Sequence, residues 1–235
     1  MLGNTITIDG YSSRSIGLFC KKLPMFPVAV ESKDAITVGG RLSNLYKSAH
    51  FFGDITVEIE AVLLGLNVDL AVQYFTNGKR LSFSHIPDRY AIIRQLVAIE
   101  QNRVGNGAIE LRITLKCDPF KYSNANQVLE FTSASNDFEV GGTFYAEPVI
   151  FAQGCTDGFS IDLNEIELST SGLTGDIYID VPRRMVYQVS DGVKTVVDDH
   201  TTGKIWDLIL IPDDLNYLDF TNATKVQITK NERWL

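Results

Sequence analysis

The chain has 235 residues, of which 45% are apolar and 21% are charged, and its formal net charge is −8. Such a length fits one large domain or two small ones, and the composition is sufficient for a packed core. The negative charge argues against nucleic acid as a binding target, and no run of about 18 apolar residues is present that could span a membrane.

The charge is distributed unevenly, which indicates two domains with different surroundings. Residues 1–124 carry 14 basic against 11 acidic side chains, a net charge of +3, and residues 125–235 carry 7 against 18, a net charge of −11. The turn-prone letters "NANQ" fall between these halves and place the boundary within 120–127. We therefore predict a first domain at 1–122 and a second domain at 126–235.

Two segments of the first half alternate between apolar and polar residues. In "DITVEIEAVL" the apolar positions begin with Ile55, Val57 and Ile59, and in "AIELRITLKC" they run from Ile109 to Cys117. Such a period of two is typical of a β-strand with one buried face and is not produced by a helix. The first domain is therefore predicted to contain an antiparallel sheet with one face in water.

The segment "GLNVDLAVQYFTNG" has helical spacing of its apolar residues instead. The positions predicted to face the core are Leu66, Leu70, Ala71, Tyr74 and Phe75. Asn67 is suited to cap the start by accepting a backbone N–H bond, and Gly78 is suited to the left-handed position past the end. This pattern predicts one helix of about eleven residues.

The next segment, "LSFSHIPDRYAI", concentrates side chains that occur in hydrolytic active sites. Catalysis by His85 would require a nucleophile and an orienting carboxylate close in space, and Ser82 and Ser84 lack a nucleophile-elbow context. Pro87 followed by Asp88 is a turn signal, so we interpret the segment as a turn between two strands. The following "RYAIIRQLVAIEQ" is apolar on both faces and predicts a more buried strand, with a helix as the alternative.

Beyond the boundary, short strand candidates are separated by turns that contain glycine. They are "VLEFTS", "TFYAEPVIFA", "FSIDL", "EIELS", "DIYIDV", "MVYQVS", "WDLILI" and "KVQITK", and no long helical pattern interrupts them. Many short strands at this spacing are typical of a β-sandwich. The chain as a whole is therefore predicted to be mainly β.

The sequence indicates no catalytic, cofactor-binding or metal-binding residues. Cys20, Cys117 and Cys155 form no Cys-x-x-Cys pair, which argues against a disulfide framework and against a thiolate zinc site. The three histidines are far apart in the sequence. The acidic run "DGVKTVVDDH" lacks the alternating ligands of an EF-hand loop, so we interpret it as a hairpin tip.

Aromatic residues of the second half are the candidates for ligand contact. Trp206 and Tyr217 are the two predicted glycan contacts, because exposed aromatic rings on a β-sandwich can stack on sugar rings. Tyr178, Tyr187 and Trp234 belong to the same group. The alternative is that these rings fill the core or an interface, as large aromatic residues commonly do.

Several motifs occur in a recognisable order. "IDGYSSRSIGLFCKKLP" opens the chain, "VGGRLSNLY" follows with Gly40 and Arg41, and then come "GDITVEIE", the helix, "LSFSHIPDRYAI" and "ELRITLKCDPFKYS". In the second half, "LTGDIYIDVPRRMVY" contains a Gly-x-Ile-x-Ile-Asp hairpin. In this order the motifs resemble the phage distal tail protein family, the hub at the tip of long non-contractile tails. The chain departs from the family pattern at Leu42 and Ser43, where Asp-Gly is expected, and at Asp214, where Gly is expected.

The resemblance implies an architecture for both domains. The first domain would be a ring-forming β domain with one α-helix, assembled as a homohexamer through which the phage genome passes without sequence-specific contact. The second would be a galectin-like or carbohydrate-module-like β-sandwich on the outside of the ring.

The resemblance also implies a location and partners. The chain would be a structural, non-enzymatic protein of the virion tail tip, assembled in the host cytoplasm and neither secreted nor membrane-spanning. Its partners would be the tail tube protein and tail-associated, tail-fibre or receptor-binding proteins. The alternative function is a carbohydrate-binding module that recognises a glycan of the bacterial surface through the second domain.

Overall fold

The computed structural model describes residues 4–37, 42–43, 45–65, 67–76, 79–105, 107–125 and 127–235, with the side chains at 49 and 50 excepted. Four residues of the sequence predictions lie outside this part of the chain. They are Gly40 and Arg41 of the family-like motif, and Leu66 and Gly78 of the predicted helix.

The chain divides into two compact units. The first comprises Met1–Asn124 together with Leu235, and the second comprises Ala125–Trp234. Each unit has its own hydrophobic core. Strands dominate in both, so the prediction of a mainly β fold is confirmed.

The first unit contains nine strands and one α-helix within the described residues. In chain order they are β1 (Ile6–Ile8), β2 (Tyr11–Ser12), β3 (Leu18–Lys22), β4 (Glu31–Ile36), β5 (Leu45–Phe52), β6 (Ile55–Leu64), α1 (Val68–Tyr74), β7 (Arg80–Phe83), β8 (Ile86–Arg103) and β9 (Ala108–Ser123). A 3-10 turn at Ser13–Ile16 follows β2. Seven of the strands form one antiparallel sheet in the order β2-β1-β7-β8-β9-β6-β3, and β4 pairs with β5 alone.

The alternating segments of the sequence form β6 and β9, which pair with each other over ten residues from Ile55–Cys117 to Leu64–Ala108. Ile59 and Leu111 are fully buried, and the polar residues between such positions lie on the other face. One face of the sheet therefore forms the core, and the other is wet, as the period of two predicts.

The helix is shorter than predicted, since α1 spans the seven residues Val68–Tyr74. Asn67 precedes it, but its side chain accepts no capping hydrogen bond, so that prediction is wrong. Ala71 and Tyr74 are buried whereas Leu70 is 42% exposed, because two helical turns present only a narrow stripe to the core. Tyr74 Oη donates to two backbone carbonyls near β1 and β2, at 3.1 and 2.7 Å, and so fixes the helix against the sheet.

The hairpin in "LSFSHIPDRYAI" turns earlier than predicted. Phe83 at the end of β7 pairs with Ile86 at the start of β8, so the turn consists of the two residues between them. The prediction of a turn at Pro87 and Asp88 is wrong, because both residues lie in β8. A proline is tolerated at the start of a strand, where its missing N–H breaks little of the ladder, and a two-residue connection is the commonest in hairpins.

The second unit contains twelve strands within the described residues. In chain order they are β10 (Val128–Phe131), β11 (Asn136–Glu139), β12 (Val149–Cys155), β13 (Ser160–Leu163), β14 (Ile166–Thr170), β15 (Gly175–Asp180), β16 (Met185–Ser190), β17 (Val193–Val196), β18 (Thr201–Gly203), β19 (Leu215–Thr221), β20 (Lys225–Thr229) and β21 (Arg233–Trp234). Three 3-10 turns lie at Val181–Arg183, Asp198–His200 and Ile205–Asp207. The prediction of a strand at "WDLILI" is wrong, because the last of these turns falls there and the side chains of Asn164 and Asn216 bond the backbone that follows.

Two antiparallel sheets of the second unit share one core. A six-stranded sheet has the order β10-β20-β12-β15-β16-β17, and a five-stranded sheet has the order β11-β19-β13-β14-β18. Ile150 and Ile177 of the first sheet and Phe159 and Leu168 of the second are fully buried in the same cluster. The second unit is therefore a β-sandwich, the architecture predicted from the short strands and their turns.

Candidate assembly surface

Strand β8 continues past the strand that covers its outer side. β7 pairs with β8 only from Ile86 to Ile92, whereas β8 extends to Arg103 and pairs with β9 along its other side. Over residues 94–103, no strand in the described part of the chain pairs with this outer side. We call residues 94–103 the open edge. Its outward N–H and C=O groups are free to bond to a further strand.

The open edge differs from the part of β8 that precedes it. Ala91 and Ile93 are fully buried, but Val97 is 48% exposed and the four residues from Glu100 onward are all exposed. The prediction of a strand is thus correct and the helical alternative is wrong. The prediction of a more buried strand holds only for residues 90–93. Edges are commonly protected by proline or by short length, and the open edge has neither.

Asp118 anchors the start of the open edge. Its carboxylate is 3% exposed and forms an ion pair with Arg94. It also accepts hydrogen bonds from the backbone N–H of Phe120, at 3.1 Å, and from the hydroxyl of Tyr122, at 3.2 Å. The pairing of β8 and β9 is irregular here. Ile93 pairs with Cys117 and Ala91 pairs with Lys121, so β9 has three residues between the two pairs where β8 has one. The side chain of Asp118 therefore holds a distortion that the strand ladder alone would not.

Charged residues cover the wet face beside the open edge. Arg112 on β9 donates to Glu58 on β6 at 2.7 Å, and Lys21 forms an ion pair with Glu110. The hydrogen bond to Glu58, the charge of Glu58 and then that of Glu100 raise the pKa of Arg112. A shallow concavity of about 350 Å³ lies over this region. It is lined by Glu60, Glu100, Gln101, Asn102, Glu110, Leu111 and Arg112, so three carboxylates and one guanidinium face it.

The second feature is the two-stranded sheet of β4 and β5, which we call the arm. Large apolar side chains on it are exposed, by 45% for Ile36, 68% for Tyr46 and 63% for Phe51. At its base, the ring of Phe52 lies 5.7 Å from that of Phe120 on β9. An isolated two-stranded ribbon is at best marginally stable in water. The arm therefore presents an apolar surface that the rest of the first unit does not cover.

The arm was missed by the sequence analysis. The letters "DAITVGGRLSNLYKSAHFF" contain two strand-like runs around a Gly-Gly pair, which is the usual pattern of a hairpin. That signal was available in the sequence. The two runs do not alternate between apolar and polar residues, so a period of two does not identify them as strands.

The side chains of the predicted hydrolytic segment are used structurally. The ring of His85 stacks on Phe83 with centroids 5.8 Å apart, and its Nε2 lies 3.3 Å from Met25 Sδ. Ser84 Oγ accepts a bond from the backbone N–H of Thr5 at 3.2 Å, which ties the turn to the start of the chain. No nucleophile and carboxylate converge on His85 among its contacts within the described residues, so the geometry of a catalytic triad is not formed there.

The two candidate glycan contacts are both exposed, by 53% for Trp206 and 39% for Tyr217. The backbone of Tyr217 is held by Asn164, which accepts from its N–H at 2.8 Å and donates to its carbonyl at 3.0 Å. Asn164 Nδ2 also donates to the carbonyl of Ile209 at 3.0 Å, three residues past Trp206. The turn between β13 and β14 therefore connects the two segments that carry these rings.

Asn216 is a fully buried residue that sequence analysis did not single out. Its Oδ1 accepts from the N–H of Ile211 at 2.8 Å and from Asn164 Nδ2 at 2.9 Å. Its Nδ2 donates to the carbonyls of Ile211, at 2.9 Å, and of Asp214, at 3.2 Å. The loop before β19 is thus built around one side-chain amide, which satisfies backbone groups that no strand pairs.

Three other aromatic rings of the second unit are stacked on one another. Phe151 and Tyr178 have centroids 4.5 Å apart, and Tyr178 and Tyr187 have centroids 5.0 Å apart with an interplanar angle of 3°. The ammonium of Lys194 lies 4.2 Å from the ring centre of Tyr187. Because these ring faces contact each other across neighbouring strands, both faces of Tyr178 are occupied by neighbouring rings. The row stabilises the sheet and is poorly suited to stacking on sugars.

The cysteines and acidic residues form no reactive cluster in the part of the chain that the structure covers. Burial raises the pKa of Cys20 and Cys117 to about 12 and that of Cys155 to about 11. Asp198, from the acidic run, accepts a bond from the N–H of Val186 at 2.6 Å. No three His, Cys, Asp or Glu side chains of the described residues are placed to hold a metal ion.

No helix among the described residues is both long and apolar enough to cross a membrane.

Comparison with known proteins gives matches to solved structures and none to sequences. No protein-family model and no curated protein matches the sequence.

Two solved structures are similar over nearly the whole chain. The first is the SPP1 Dit (gp 19.1) protein, described as a paradigm of the hub adsorption apparatus in phages that infect Gram-positive bacteria. It is 16% identical, with a TM-score of 0.76 and 99% of both chains covered. The second belongs to the phage P2 baseplate in its activated conformation with Ca, with 8% identity, a TM-score of 0.56, and 97% of this chain and 98% of that chain covered. The chain therefore has a Dit-like fold, and the resemblance seen in the sequence is confirmed at that level.

Proposed function

We propose that this protein is a structural hub of a phage tail tip, which forms a hexameric ring between the tail tube and the distal adsorption apparatus. The phage genome passes through the ring. The observation that carries this proposal is the similarity to the SPP1 hub protein, with a TM-score of 0.76 over 99% of both chains. A match of that extent includes both units in the same order along the chain.

The first unit has the surfaces that a ring requires. Head-to-tail contacts that close under rotation need two different surfaces on each copy. The open edge of β8 and the apolar arm are two such surfaces, and both belong to the first unit. In this proposal residues 1–122 form the ring, and residues 126–235 form a galectin-like sandwich on its outside. The net charge of −11 on residues 125–235 keeps the outer domains solvated and separated from one another.

The role is structural and requires neither a cofactor nor a metal. His85, which carried the hydrolase alternative, packs against Phe83 and Met25. The partners are further copies of this chain, the tail tube protein, and the tail-fibre or receptor-binding proteins of the virion tail tip. The net charge of −8 disfavours tight binding to the DNA phosphates, and in this proposal the DNA only passes through.

The mass of the purified protein in solution tests the proposal. One chain has a mass of 26.1 kDa, so a hexamer has a mass of about 157 kDa. Mass photometry and negative-stain imaging of the same sample are expected to show this species as six-fold rings with a central pore. A monomer at all concentrations, both alone and with the tail tube protein added, would contradict the ring.

A second function is supported by the exposure of Trp206 and Tyr217, which are 53% and 39% exposed. On the outside of the ring these aromatic residues are accessible to a glycan of the host surface, since sugars stack on exposed ring faces. The test is binding to cell-wall polysaccharide from candidate hosts. Loss of binding in Trp206→Ala, with retention in Tyr178→Phe, would support glycan recognition by this pair, and equal binding by both variants would exclude it.

A further inference from the structure

The outer face of the five-stranded sheet in the second unit carries charge of one sign. Side chains along its strands alternate between the core and this face, so Ile161 and Leu218 are fully buried while the residues next to them point outward. The five strands contain no lysine or arginine. Their outward positions include five acids, which we call the acidic face: Asp137, Glu139, Asp162, Glu167 and Asp219.

Three carboxylates of the acidic face lie side by side. Asp162 is directly opposite Asp219 on one neighbouring strand and directly opposite Glu167 on the other. Like charges at directly opposed positions of a sheet are destabilising. The Oδ1 atom of Asp162 is also buried without a hydrogen-bond partner among the residues that the structure describes. The isolated chain therefore leaves this row of charges uncompensated.

The six-stranded sheet of the same unit neutralises its acids internally. Glu130 forms an ion pair with Lys225 at 3.3 Å. Asp180, at the end of β15, forms an ion pair with Arg183 at 3.0 Å. In the described part of the chain, none of the five acids of the acidic face has an ion pair. The acidic face therefore differs from the opposite sheet in lacking a counter-charge from those residues.

The acidic face also carries exposed apolar surface that is held in place. Leu215 is 57% exposed and Tyr217 is 39% exposed, and Tyr217 lies directly opposite Asp137. The hydroxyl of Tyr217 lies 3.2 Å from Ser135 Oγ, and the backbone N–H of Ser135 donates to Asp219 at 3.3 Å. One residue thus fixes both an aromatic ring and a carboxylate. A surface that is already ordered loses little conformational entropy on binding.

We propose that the acidic face is the docking surface for a lysine- or arginine-bearing segment of a partner protein of the tail tip. This inference rests on the proposed hub function, because it names the surface with which such a hub holds another protein. The cationic side chains of the segment pair with the row of carboxylates, and one of them lies over the ring of Tyr217. Their alkyl stems cover Leu215.

A basic protein segment is the occupant that the charges favour. DNA and phosphate-bearing wall polymers are repelled by a face with five negative charges. A bound metal ion would need converging ligands, and no three His, Cys, Asp or Glu side chains in the described ranges are placed to hold one. A neutral glycan would stack on Tyr217 but would leave the carboxylates uncompensated. A chain of lysines and arginines matches both the charges and the apolar surface.

Binding of labelled peptides to the full-length protein tests the proposal. The probe is a fluorescein-labelled oligolysine peptide, and an oligoglutamate peptide of the same length is the control probe. Fluorescence anisotropy is measured at about 50 mM NaCl, because salt weakens exposed ion pairs. The double variant Asp137→Asn with Glu167→Gln changes two exposed positions of the acidic face. It is expected to bind oligolysine about three- to tenfold more weakly, since two exposed ion pairs are lost.

The matched control variant is Asp191→Asn with Asp199→Asn. Both positions are exposed, both belong to the second unit, and neither lies in a strand of the five-stranded sheet. The control variant removes the same charge and is expected to bind oligolysine as the unchanged protein does. Equal weakening in the two double variants would overturn the proposal, because only the net charge of the unit would then attract the peptide. Absence of oligolysine binding to the unchanged protein would overturn it as well.

Asp162→Asn gives a second readout. The substitution removes the like charge between Asp219 and Glu167, so it is expected to raise the midpoint temperature of unfolding of the free protein. The same variant is expected to bind oligolysine more weakly. A carboxylate that costs stability and supports binding is what a docking surface requires. A lower midpoint temperature, or unchanged peptide binding, would contradict the role assigned to this row.

A chitosan oligosaccharide identifies the source of the cations, because it carries amines on a sugar chain. Chitosan binding that equals or exceeds oligolysine binding would overturn the protein partner in favour of an amine-bearing glycan, and weaker binding supports the protein partner. Negative-stain imaging of the same samples separates the docking surface from the hub. Rings without peptide binding overturn the docking surface alone, and peptide binding without rings contradicts the hexamer alone.

Discussion

Asp118 and Asn216 are buried polar residues of different units, and each holds an irregular backbone segment in place. Asp118 binds a guanidinium, a hydroxyl and a backbone N–H at the distortion of β9. Asn216 binds both backbone groups of Ile211 in the loop before β19. Strand pairing cannot satisfy such segments, so the side chain replaces the missing ladder bonds.

Replacing Asn216 by alanine is expected to lower the free energy of unfolding of the second unit by about 2–3 kcal/mol. The variant leaves the N–H and carbonyl of Ile211 without the partners they have in the native protein. Chemical denaturation monitored by tryptophan fluorescence measures the change. Gln153→Ala, at an exposed position of the same unit, is the control and should stay within about 0.5 kcal/mol. Equal effects of the two substitutions would show that the buried amide is dispensable.

The three thiols are expected to resist alkylation in the folded protein. At neutral pH, a pKa of about 12 for Cys20 and Cys117 lowers the thiolate fraction by about a thousandfold relative to the reference pKa of 9.0, and a pKa of about 11 for Cys155 by about a hundredfold. Intact mass after iodoacetamide treatment should show no adduct natively and three adducts in denaturant.

These thiols also give stability a pH dependence. Because each folded pKa lies above the unfolded value, their contribution is complete below pH 9 and decreases as the pH rises toward 11 and 12. Rapid native labelling of any cysteine at neutral pH would contradict its buried, protonated state.

At the scale of elements, the hairpin β7–β8 depends on its buried ring and not on its polar turn. Phe83 is 1% exposed and stacks on Phe26 with centroids 4.7 Å apart. His85, at the turn, also stacks on Phe83, and Asp88 lies exposed on β8. His85, which suggested a hydrolytic site, therefore packs on the buried aromatic rings of the hairpin, and Asp88 is a surface residue.

Phe83→Ala is expected to destabilise the first unit by about 3–5 kcal/mol, since it removes a buried aromatic side chain and leaves a cavity. Asp88→Ala should change stability by no more than about 0.5 kcal/mol, and His85→Ala by little more, because both lie at the surface. Denaturation curves of the three variants give the ranking. Neither His85→Ala nor Asp88→Ala should alter the result of an esterase or glycosidase screen, and a hydrolytic activity lost on either change would restore the catalytic interpretation.

The elements that could be predicted from the sequence are those whose apolar face is covered by other residues of the same chain. β6 and β9 alternate because one face lies against the core, so the sequence records their environment directly. The arm has no such face in the single chain, which is why its pattern carried no alternation. The two local errors have one cause. Asn67 is compatible with a helix cap and Pro87 with a turn, but both residues also occur at other positions, so neither determines the structure by itself.

The open edge could not be predicted because it is a property of pairing. The open edge begins where the pairing with β7 ends, and the sequence of residues 94–103 does not reveal where that neighbouring strand ends. The segment "RYAIIRQLVAIEQ" is apolar on both faces, a pattern that predicts burial within the chain. In a protein that works as an assembly, the same pattern also describes a strand that another copy covers.

At the scale of the whole molecule, charge and apolar surface are separated between the two units. Residues 1–124 have a net charge of +3 and carry the open edge and the arm, whereas residues 125–235 have a net charge of −11. Self-association of such a chain joins the nearly neutral parts and keeps the acidic parts apart. This division is compatible with the proposed ring, and it predicts that the proposed assembly is sensitive to salt.

Raising NaCl from about 50 mM to about 500 mM is expected to strengthen the proposed hexamer, because the Debye length falls and repulsion between the acidic units is screened. Exposed ion pairs between copies would weaken, but each contributes at most about 1 kcal/mol, against a net charge of −8 on every copy. Sedimentation velocity across the salt series measures the hexamer fraction at fixed protein concentration. The variant Asp191→Asn with Asp199→Asn, changed at two exposed acids of the second unit, should show a weaker salt dependence. Dissociation of the ring at high salt would mean instead that attraction between charged strands, and not burial of apolar surface, holds the copies together.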